Sequence, residues 1–153
     1  MVDAPQRDLR ALLAHVRETR NFERLLAAIP YVRLLGLRTT VVDGDLVAHM
    51  PGAPHLIGNP MLPALHGGTV GALLESTAIL KLLLESETQA VPKTITLTVD
   101  YLRSPKVVET SARATITRLG RRVANVQIRA WQEQEDRPIA VGHAHFLLRS
   151  LED

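Results

Sequence analysis

The spacing of hydrophobic positions changes along the chain, and each change marks a predicted element. Between Arg7 and about Ala28, leucines and valines recur at helical spacing, which predicts an amphipathic N-terminal helix or pair of helices ending before Pro30. Two strand-like segments, GLRTTVV and DLVAHM, follow on either side of Asp43 and Gly44. These two residues suit the positive torsion angles of a tight turn, so we expect a β-hairpin here.

Four prolines between Pro51 and Pro63 predict a long segment without regular structure, and a loop of this length inside a compact domain is usually functional. The next segment, LHGGTVGALLESTAILKLLL, is apolar nearly all round. This pattern is typical of a buried helix, which we expect to begin at Gly68 or Thr69 and to end near Ser86.

After Pro92 the period changes to two in the segment KTITLTVDYLR, which predicts a half-buried strand. Its predicted core-facing positions are apolar or aromatic: Ile95, Leu97, Val99 and Tyr101. Further strands are predicted at residues 107–117, 122–131 and 139–148. Connections this short exclude parallel crossovers, so the sheet must be mainly antiparallel.

The order of elements predicts an α+β fold in which an antiparallel sheet wraps a central buried helix. At 153 residues, one domain over residues 1–153 is expected, with residues 1–30 as an N-terminal helical extension. Such a sheet has open edges, and pairing with a second copy would cover them. We therefore expect a homodimer or a homotetramer.

Composition narrows the classes of function. Aromatic residues make up only 3% of the chain and the net charge is +2, which argues against a nucleic-acid partner. The absence of cysteine excludes disulfides, thiolate metal sites and a cysteine nucleophile. The first residues do not resemble a secretory signal, and Glu75 and Lys81 interrupt the longest apolar run. We expect a soluble cytoplasmic protein without a membrane partner.

Glu75 is the most unusual residue of the predicted helix, because no cation lies three or four positions from it. Its helical neighbours there are small or apolar: Gly71, Ala72, Ala78 and Ile79. A solvent-facing stripe or an arginine from elsewhere in the fold would explain the carboxylate structurally. Glycines and alanines suit close packing or the approach of a ligand better than a wet surface, so we favour a functional role.

Gly67 and Gly68 lie where the loop becomes helix, directly after His66. The first N–H groups of a helix have no internal acceptor and lie at its positive dipole end, where they can bind an oxyanion. Simple turn formation is the structural alternative. The combination of such donors with a carboxylate about two turns deeper is what acyl transfer to water requires.

Three segments together, NPMLPALHGGTVGALLES, TVDYLRSP and RLGRRVANVQIRA, resemble the hotdog-fold acyl-CoA thioesterases of the PaaI and 4-hydroxybenzoyl-CoA thioesterase type. The resemblance covers about residues 29–148. It implies a hotdog fold, hydrolysis of an acyl-CoA thioester, no cofactor other than the coenzyme A of the substrate, no metal, and active sites at a dimer interface.

The resemblance also implies a role for each matching residue. Glu75 becomes the nucleophile or general base and Gly67 the oxyanion donor, with Gly68 as its alternative and as a substrate contact. His66 becomes an orienting group, and Asn59 supplies an amide from the facing subunit. The chain departs from the family pattern in having one extra residue between Asn59 and His66.

A second departure lies one helical turn after Glu75, where relatives often have a polar group that places water and this chain has Ile79. Either Thr77 or Ser76 takes over this role, or the water is placed in another way. Coenzyme A also has phosphates, and cations occur at two predicted turns. The residues expected to bind them are Arg103, Ser104, Lys106, Arg121 and Arg122, with Arg118 nearby.

His143 and His145 share one strand face, but the absence of an evident third ligand favours a structural role over a metal site.

Two functional alternatives to hydrolysis remain open. A hotdog-fold hydratase or dehydratase would use a histidine and a carboxylate to move protons on carbon. A non-catalytic acyl-CoA binding or sensing module would bind the same ligand without releasing a thiol.

Overall fold

The computed structural model describes residues 4–88 and 90–148, so the outermost parts of the predicted domain lie outside the described residues. Three helices come first: α1 (Ala4–Thr19), α2 (Glu23–Ala28) and α3 (Pro30–Leu35). The first two confirm the predicted pair of helices that ends before Pro30, whereas α3 was not predicted. Pro30 is the first residue of α3, a position where its fixed φ fits the helix and its missing N–H is not needed.

The predicted first hairpin is confirmed as β1 (Arg38–Val42) and β2 (Asp45–Met50), with φ of 52° at Asp43 and 78° at Gly44. The proline-rich segment differs from its prediction. It contains a 3₁₀ turn (Pro54–Leu56) and a small hairpin formed by β3 (Ile57–Asn59) and β4 (Leu62–Leu65). Proline is compatible with such a hairpin because a two-stranded sheet has only edge strands.

The central helix α4 (Gly67–Glu85) is followed by the four expected strands: β5 (Lys93–Tyr101), β6 (Thr110–Leu119), β7 (Val123–Trp131) and β8 (Ala140–Leu147). With β1 and β2 they form a six-stranded sheet in the order β1-β2-β6-β7-β8-β5. Every strand pair in this sheet is antiparallel. The prediction of a mainly antiparallel α+β fold is therefore confirmed.

Helix α4 is the core of the fold, packed against the sheet on one side and contacted by α1 and α3. Its length and apolar composition would suffice for a membrane-crossing helix, but the buried core helix of a globular fold has the same properties. At its C-terminal end, the Arg17 guanidinium of α1 donates to the carbonyls of Leu83 (3.1 Å) and Thr88 (2.5 Å). A cation at the negative end of a helix dipole stabilises it, so α1 fastens α4 in place.

Lys81, the second charge within α4, is buried and fully paired. Its ammonium donates to Asp45 and Glu85, each at 2.5 Å. Burial alone lowers the pKa of Lys81, but these two carboxylates outweigh burial and raise the pKa. Lys81 therefore needs no functional explanation, which makes Glu75 the charge in α4 that does.

The strand register defines two ends of the sheet. At one end, Leu147 of β8 pairs with Lys93 of β5 and with Val123 of β7. At the other end, Ala140 pairs with Tyr101 and with Ala130, about 23 Å away along the strand. The first end includes the β6–β7 turn, and the second includes the loop after β5.

Candidate active site at the start of the central helix

The start of α4 leaves one backbone donor free. His66 is the N-cap, and its Nδ1 accepts a hydrogen bond from the Gly68 N–H at 2.8 Å. The N–H groups of Thr69 and Val70 donate to the His66 carbonyl at 2.9 and 3.3 Å. Among the residues that the structure describes, nothing accepts a hydrogen bond from the Gly67 N–H. The cap therefore satisfies Gly68 and leaves Gly67 as the available donor.

Close packing explains the glycines around this turn. A Cβ at Gly58 would lie 2.9 Å from the His66 Cα and 3.0 Å from its ring Cδ2, so Gly58 lets β3 approach the capping histidine. Tyr101 lies against the other side of the turn, where a Cβ at Gly67 or Gly71 would come within 3.4 Å of its ring or hydroxyl. The glycines thus admit a histidine and a tyrosine beside the helix start.

Tyr101 also makes a direct bond that the sequence analysis missed, since it treated this residue as core. Its hydroxyl donates to the Gly67 carbonyl at 2.7 Å, and its side chain is 53% exposed. The residue ends β5, which explains why its ring reaches the first turn of α4. The only sequence signal was a polar aromatic at a predicted core position.

Glu75 lies two turns deeper in α4 and is partly buried. Within residues 4–88 and 90–148, no lysine, arginine or histidine pairs with it. Its Oε1 instead accepts a hydrogen bond from the Thr94 hydroxyl at 2.5 Å. A single neutral donor orients the carboxylate without neutralising its charge.

The predicted alternation of β5 has Ile95 on the core face, which would put Thr94 on the opposite face, and this part of the prediction was wrong. A β-bulge at Ile95 changes the alternation, because Thr94 pairs with Phe146 while Thr96 pairs with His145. Phe146 is fully buried, so Thr94 faces α4. Strict alternation in the sequence gives no sign of a bulge.

The two hydroxyls suggested as substitutes at the Ile79 position behave differently from Thr94. Thr77 is fully buried, and its hydroxyl donates to the Leu73 carbonyl of its own helix at 2.6 Å. Ser76 is partly buried next to Glu75 and has no side-chain partner among the described residues. Thr94, from a neighbouring strand, is the hydroxyl that the structure brings to Glu75.

Asn59 ends β3 on the exposed hairpin, and its one side-chain bond within the described chain is local. The Oδ1 atom accepts from the Met61 N–H at 2.9 Å, which forms a tight turn. The NH₂ group keeps both hydrogens for another partner. The structure does not bring Asn59 into contact with Glu75 of the same chain.

The predicted coenzyme A contacts fall into two groups. Arg103, Ser104 and Lys106 line a cleft of about 180 Å³ together with Arg137, at the Ala140 end of the sheet. Arg121 and Arg122, with Arg118, lie at the opposite end, around the β6–β7 turn. One chain alone therefore does not bring these cations together.

The cleft already contains internal partners for its cations. The Lys106 ammonium contacts Glu133 at 2.9 Å, and Arg103 donates to the Pro138 carbonyl at 2.8 Å. The hydrogen bond and the charge of Lys106 hold the pKa of Glu133 below its ordinary value. An anionic ligand in this cleft would compete with Glu133 for the Lys106 ammonium.

The histidines of β8 lie on the outer face of the sheet and are exposed, and His145 Nδ1 contacts the Thr96 hydroxyl at 2.7 Å. In the described part of the chain, no three histidine, aspartate or glutamate side chains are grouped as metal ligands. These histidines therefore have no part in the candidate site at α4.

Comparisons with known proteins identify the family of the chain. The family model of the thioesterase superfamily matches residues 62–139, just over half of the chain. A crystal structure of a protein from Chromobacterium violaceum is 36% identical, with a TM-score of 0.73, and the match covers 91% of this chain and 97% of that one. No curated protein matches the chain.

Two further solved structures have related folds. A thioesterase from Haemophilus influenzae is 26% identical with a TM-score of 0.74, and the match covers 88% of this chain and 92% of that one. A protein from Bacillus halodurans, solved with CoA, is 19% identical with a TM-score of 0.69, and the match covers 98% of this chain and 97% of that one. At this identity, the similarity supports the fold alone.

The predicted hotdog architecture is confirmed. The chain belongs to the thioesterase superfamily, and thioester hydrolysis is the reaction that this membership supports.

Proposed function

We propose that the protein hydrolyses an acyl-CoA thioester, with Glu75 as general base or nucleophile and the Gly67 N–H as oxyanion donor. The supporting observation is that, among the described residues, the first N–H of α4 has no acceptor and Glu75 in the same helix has no cationic partner. The first group stabilises the charge that develops on the carbonyl oxygen, and the second activates the attacking group. Water and the chain's own groups suffice, so the proposal includes no cofactor.

In the proposed reaction, the thioester carbonyl oxygen accepts a hydrogen bond from Gly67. Either water, deprotonated by Glu75, or the Glu75 carboxylate itself attacks the carbonyl carbon. The carbon–sulfur bond breaks and the coenzyme A thiolate leaves, then takes up a proton. If Glu75 attacks, water cleaves the resulting anhydride, so both routes consume one water and give one acid and one thiol.

Thr94 has a positioning role in this proposal. Its hydroxyl holds Oε1 of Glu75, which leaves the second carboxylate oxygen for water or substrate. The family resemblance implies that a polar group on α4 helps to place water. In this proposal, a hydroxyl on β5 takes that role. A neutral donor fits this task because it orients a base while leaving the negative charge of that base unpaired.

The geometry favours a site shared between two copies of the chain. Gly67 and Glu75 are eight residues apart, or about 12 Å along the helix axis, and Tyr101 packs over the intervening Gly71. Thr94 holds the carboxylate at the far end of this distance. A thioester carbon has to lie about 3 Å from its attacking atom. We therefore propose that Gly67 of one copy acts with Glu75 of another.

The edge strand β5 is the proposed contact between the copies. Among the strands that the structure describes, β5 pairs only with β8, and it includes Thr94 and Tyr101. Large apolar side chains on β5 and directly after it are about half exposed: Ile95 at 54%, Tyr101 at 53% and Leu102 at 54%. An open edge with exposed apolar residues favours pairing with another strand. A homodimer is thus the smallest proposed active form, and a homotetramer would be a pair of such dimers.

Antiparallel pairing of two β5 strands would also explain the separated cations. It places the Lys93 end of one copy beside the Tyr101 end of the other. The turn containing Arg121 and Arg122 of one copy then lies at the same end of the joint sheet as Arg103 of its partner. We propose that the coenzyme A phosphates bind between these groups and that the partner's Asn59 amide completes the site.

Mixing two inactive variants tests the shared site. A Glu75→Gln chain and a Gly67→Pro chain, each inactive alone, are expected to regain activity when refolded together. In a mixed dimer, one of the two sites combines the intact Glu75 with the intact Gly67. Random mixing gives about half mixed dimers, so roughly a quarter of the wild-type rate is expected. No recovery, despite mixed dimers detected by mass spectrometry, would place both groups in one chain.

A thiol-release assay tests the function itself. Short, medium, long and aromatic acyl-CoAs are compared with the matching N-acetylcysteamine thioesters, which lack the nucleotide. Release from both series, with a higher kcat/KM for the coenzyme A esters, is the expected result because only those esters bear phosphates.

Other outcomes of this assay would replace the proposal. Saturable binding of acyl-CoA by calorimetry without thiol release would indicate a binding or sensing module. Loss of absorbance from a 2-enoyl-CoA without thiol release would indicate a hydratase or dehydratase. Equal kcat/KM values for the two series would remove coenzyme A, but not thioester hydrolysis, from the proposal.

A further inference from the structure

The peptide unit that joins His66 to Gly67 has an unusual distribution of hydrogen bonds. Its carbonyl oxygen, that of His66, accepts from the Thr69 N–H at 2.9 Å, from the Val70 N–H at 3.3 Å and from the Thr69 hydroxyl at 2.7 Å. Its N–H, that of Gly67, has no acceptor in the described chain. Three donors thus hold one end of this peptide, and its other end is open.

Only one of the three bonds comes from a side chain. The two backbone bonds belong to the helix itself and form wherever α4 begins at Gly67. The hydroxyl bond of Thr69 is the shortest of the three and is not required for helix formation. Helix geometry therefore does not by itself explain the third donor.

Hydrogen bonds along a peptide unit reinforce one another. A donor on the carbonyl withdraws electron density from the amide and makes the N–H of the same unit a stronger donor. It also fixes the peptide plane, and hence the direction of the N–H. The neighbouring unit shows the contrast: Tyr101 donates to the Gly67 carbonyl, but the N–H of that unit, at Gly68, is already bound to His66.

We propose that Thr69 is a positioning residue, whose hydroxyl orients and polarises the peptide that presents the Gly67 N–H to the thioester oxygen. This inference rests on the proposed function. It adds a residue that touches neither the substrate nor Glu75 and acts only through the main chain. Its effect appears in the transition state, when charge develops on the oxygen, so it belongs to kcat more than to KM.

Thr69→Val removes the hydroxyl and keeps the shape, and Thr69→Ser keeps the hydroxyl as the matched control. The valine variant is expected to lose kcat by about three- to tenfold, the equivalent of one hydrogen bond, with KM nearly unchanged. The serine variant is expected to stay near the wild-type rate. Thermal unfolding of both variants verifies that α4 is intact.

A vibrational measurement separates polarisation from a general structural effect. The measurement uses the Glu75→Gln variant and an acyl-CoA labelled with ¹³C at the carbonyl. The carbonyl stretching frequency of the bound acyl-CoA reports the strength of the Gly67 N–H as a hydrogen-bond donor. Adding Thr69→Val is expected to raise this frequency toward that of the free thioester, and adding Thr69→Ser is not.

A valine variant with the wild-type kcat and an unshifted carbonyl stretch would overturn the inference, while thiol release by the wild type would still support the proposed function. Equal losses in the valine and serine variants would also overturn it. A wild-type protein that neither binds nor hydrolyses thioesters would overturn both proposals.

Discussion

Glu75→Gln is expected to lower kcat for thioester hydrolysis by about a thousandfold while the fold stays intact. Glutamine keeps the shape and accepts the hydrogen bond from Thr94, but it neither takes up a proton nor attacks a carbonyl. Because Glu75 forms no ion pair with the described residues, the substitution breaks no salt bridge. Thiol release and thermal unfolding, measured on one preparation, test both parts of this expectation.

Glu85→Gln is the matched control, since it makes the same change ten residues further along α4. Glu85 pairs with Lys81 and is exposed, so its loss is expected to affect stability slightly and turnover not at all. If the Glu75→Gln variant keeps more than about a tenth of the wild-type kcat, the assigned role of a base or nucleophile is wrong.

Gly67→Pro is expected to lower kcat by about a hundredfold or more, because proline has no N–H to offer the oxyanion. Few sites allow this substitution without damage to a helix, but Gly67 is the first residue of α4, where proline is favoured. The preceding residue, His66, has φ −64° and ψ 131°, the extended conformation that precedes proline most easily. Steady-state kinetics and circular dichroism distinguish lost chemistry from lost structure.

Gly67→Ala controls for the added side-chain atoms. Alanine keeps the N–H, and its Cβ would lie 3.4 Å from the Tyr101 ring, which is ordinary contact. A rate near that of the wild type is expected. If alanine and proline at this position slow the reaction equally, crowding under Tyr101 and not the missing N–H would be the cause, and Gly67 would lose its assigned role.

The sequence predicted the features of the fold that depend on local pattern. The left-handed torsion angles at Asp43 and Gly44 follow from the chemistry of two adjacent residues, and the first hairpin was found there. The apolar pattern of α4 identified the core helix to within a residue or two at each end. Helix α3 was missed because proline both follows helices and begins them, and here Pro30 does both.

A residue of the candidate site could be predicted where it was unusual for the helix or strand that contains it. Glu75 was conspicuous as an unpaired charge in an apolar helix, and the structure supplies no cation among the described residues. Thr94 was not unusual in its strand, because the alternating sequence pattern of β5 gives no sign of the bulge that turns Thr94 toward α4. The distance between the cations of Arg103 and Arg121 was equally hidden, since it depends on which strand ends meet in the sheet.

The free N–H of Gly67 has a consequence for how such a chain changes over evolutionary time. A main-chain group persists through every point mutation at its position except a change to proline, whereas a catalytic side chain is lost by almost any replacement. The oxyanion donor of the proposed reaction therefore survives most substitutions at position 67. Selection there acts mainly on the size of the side chain that fits beneath Tyr101. Proteins that share this turn can change the surrounding side chains, and with them the acyl group of the substrate, while the oxyanion donor stays in place.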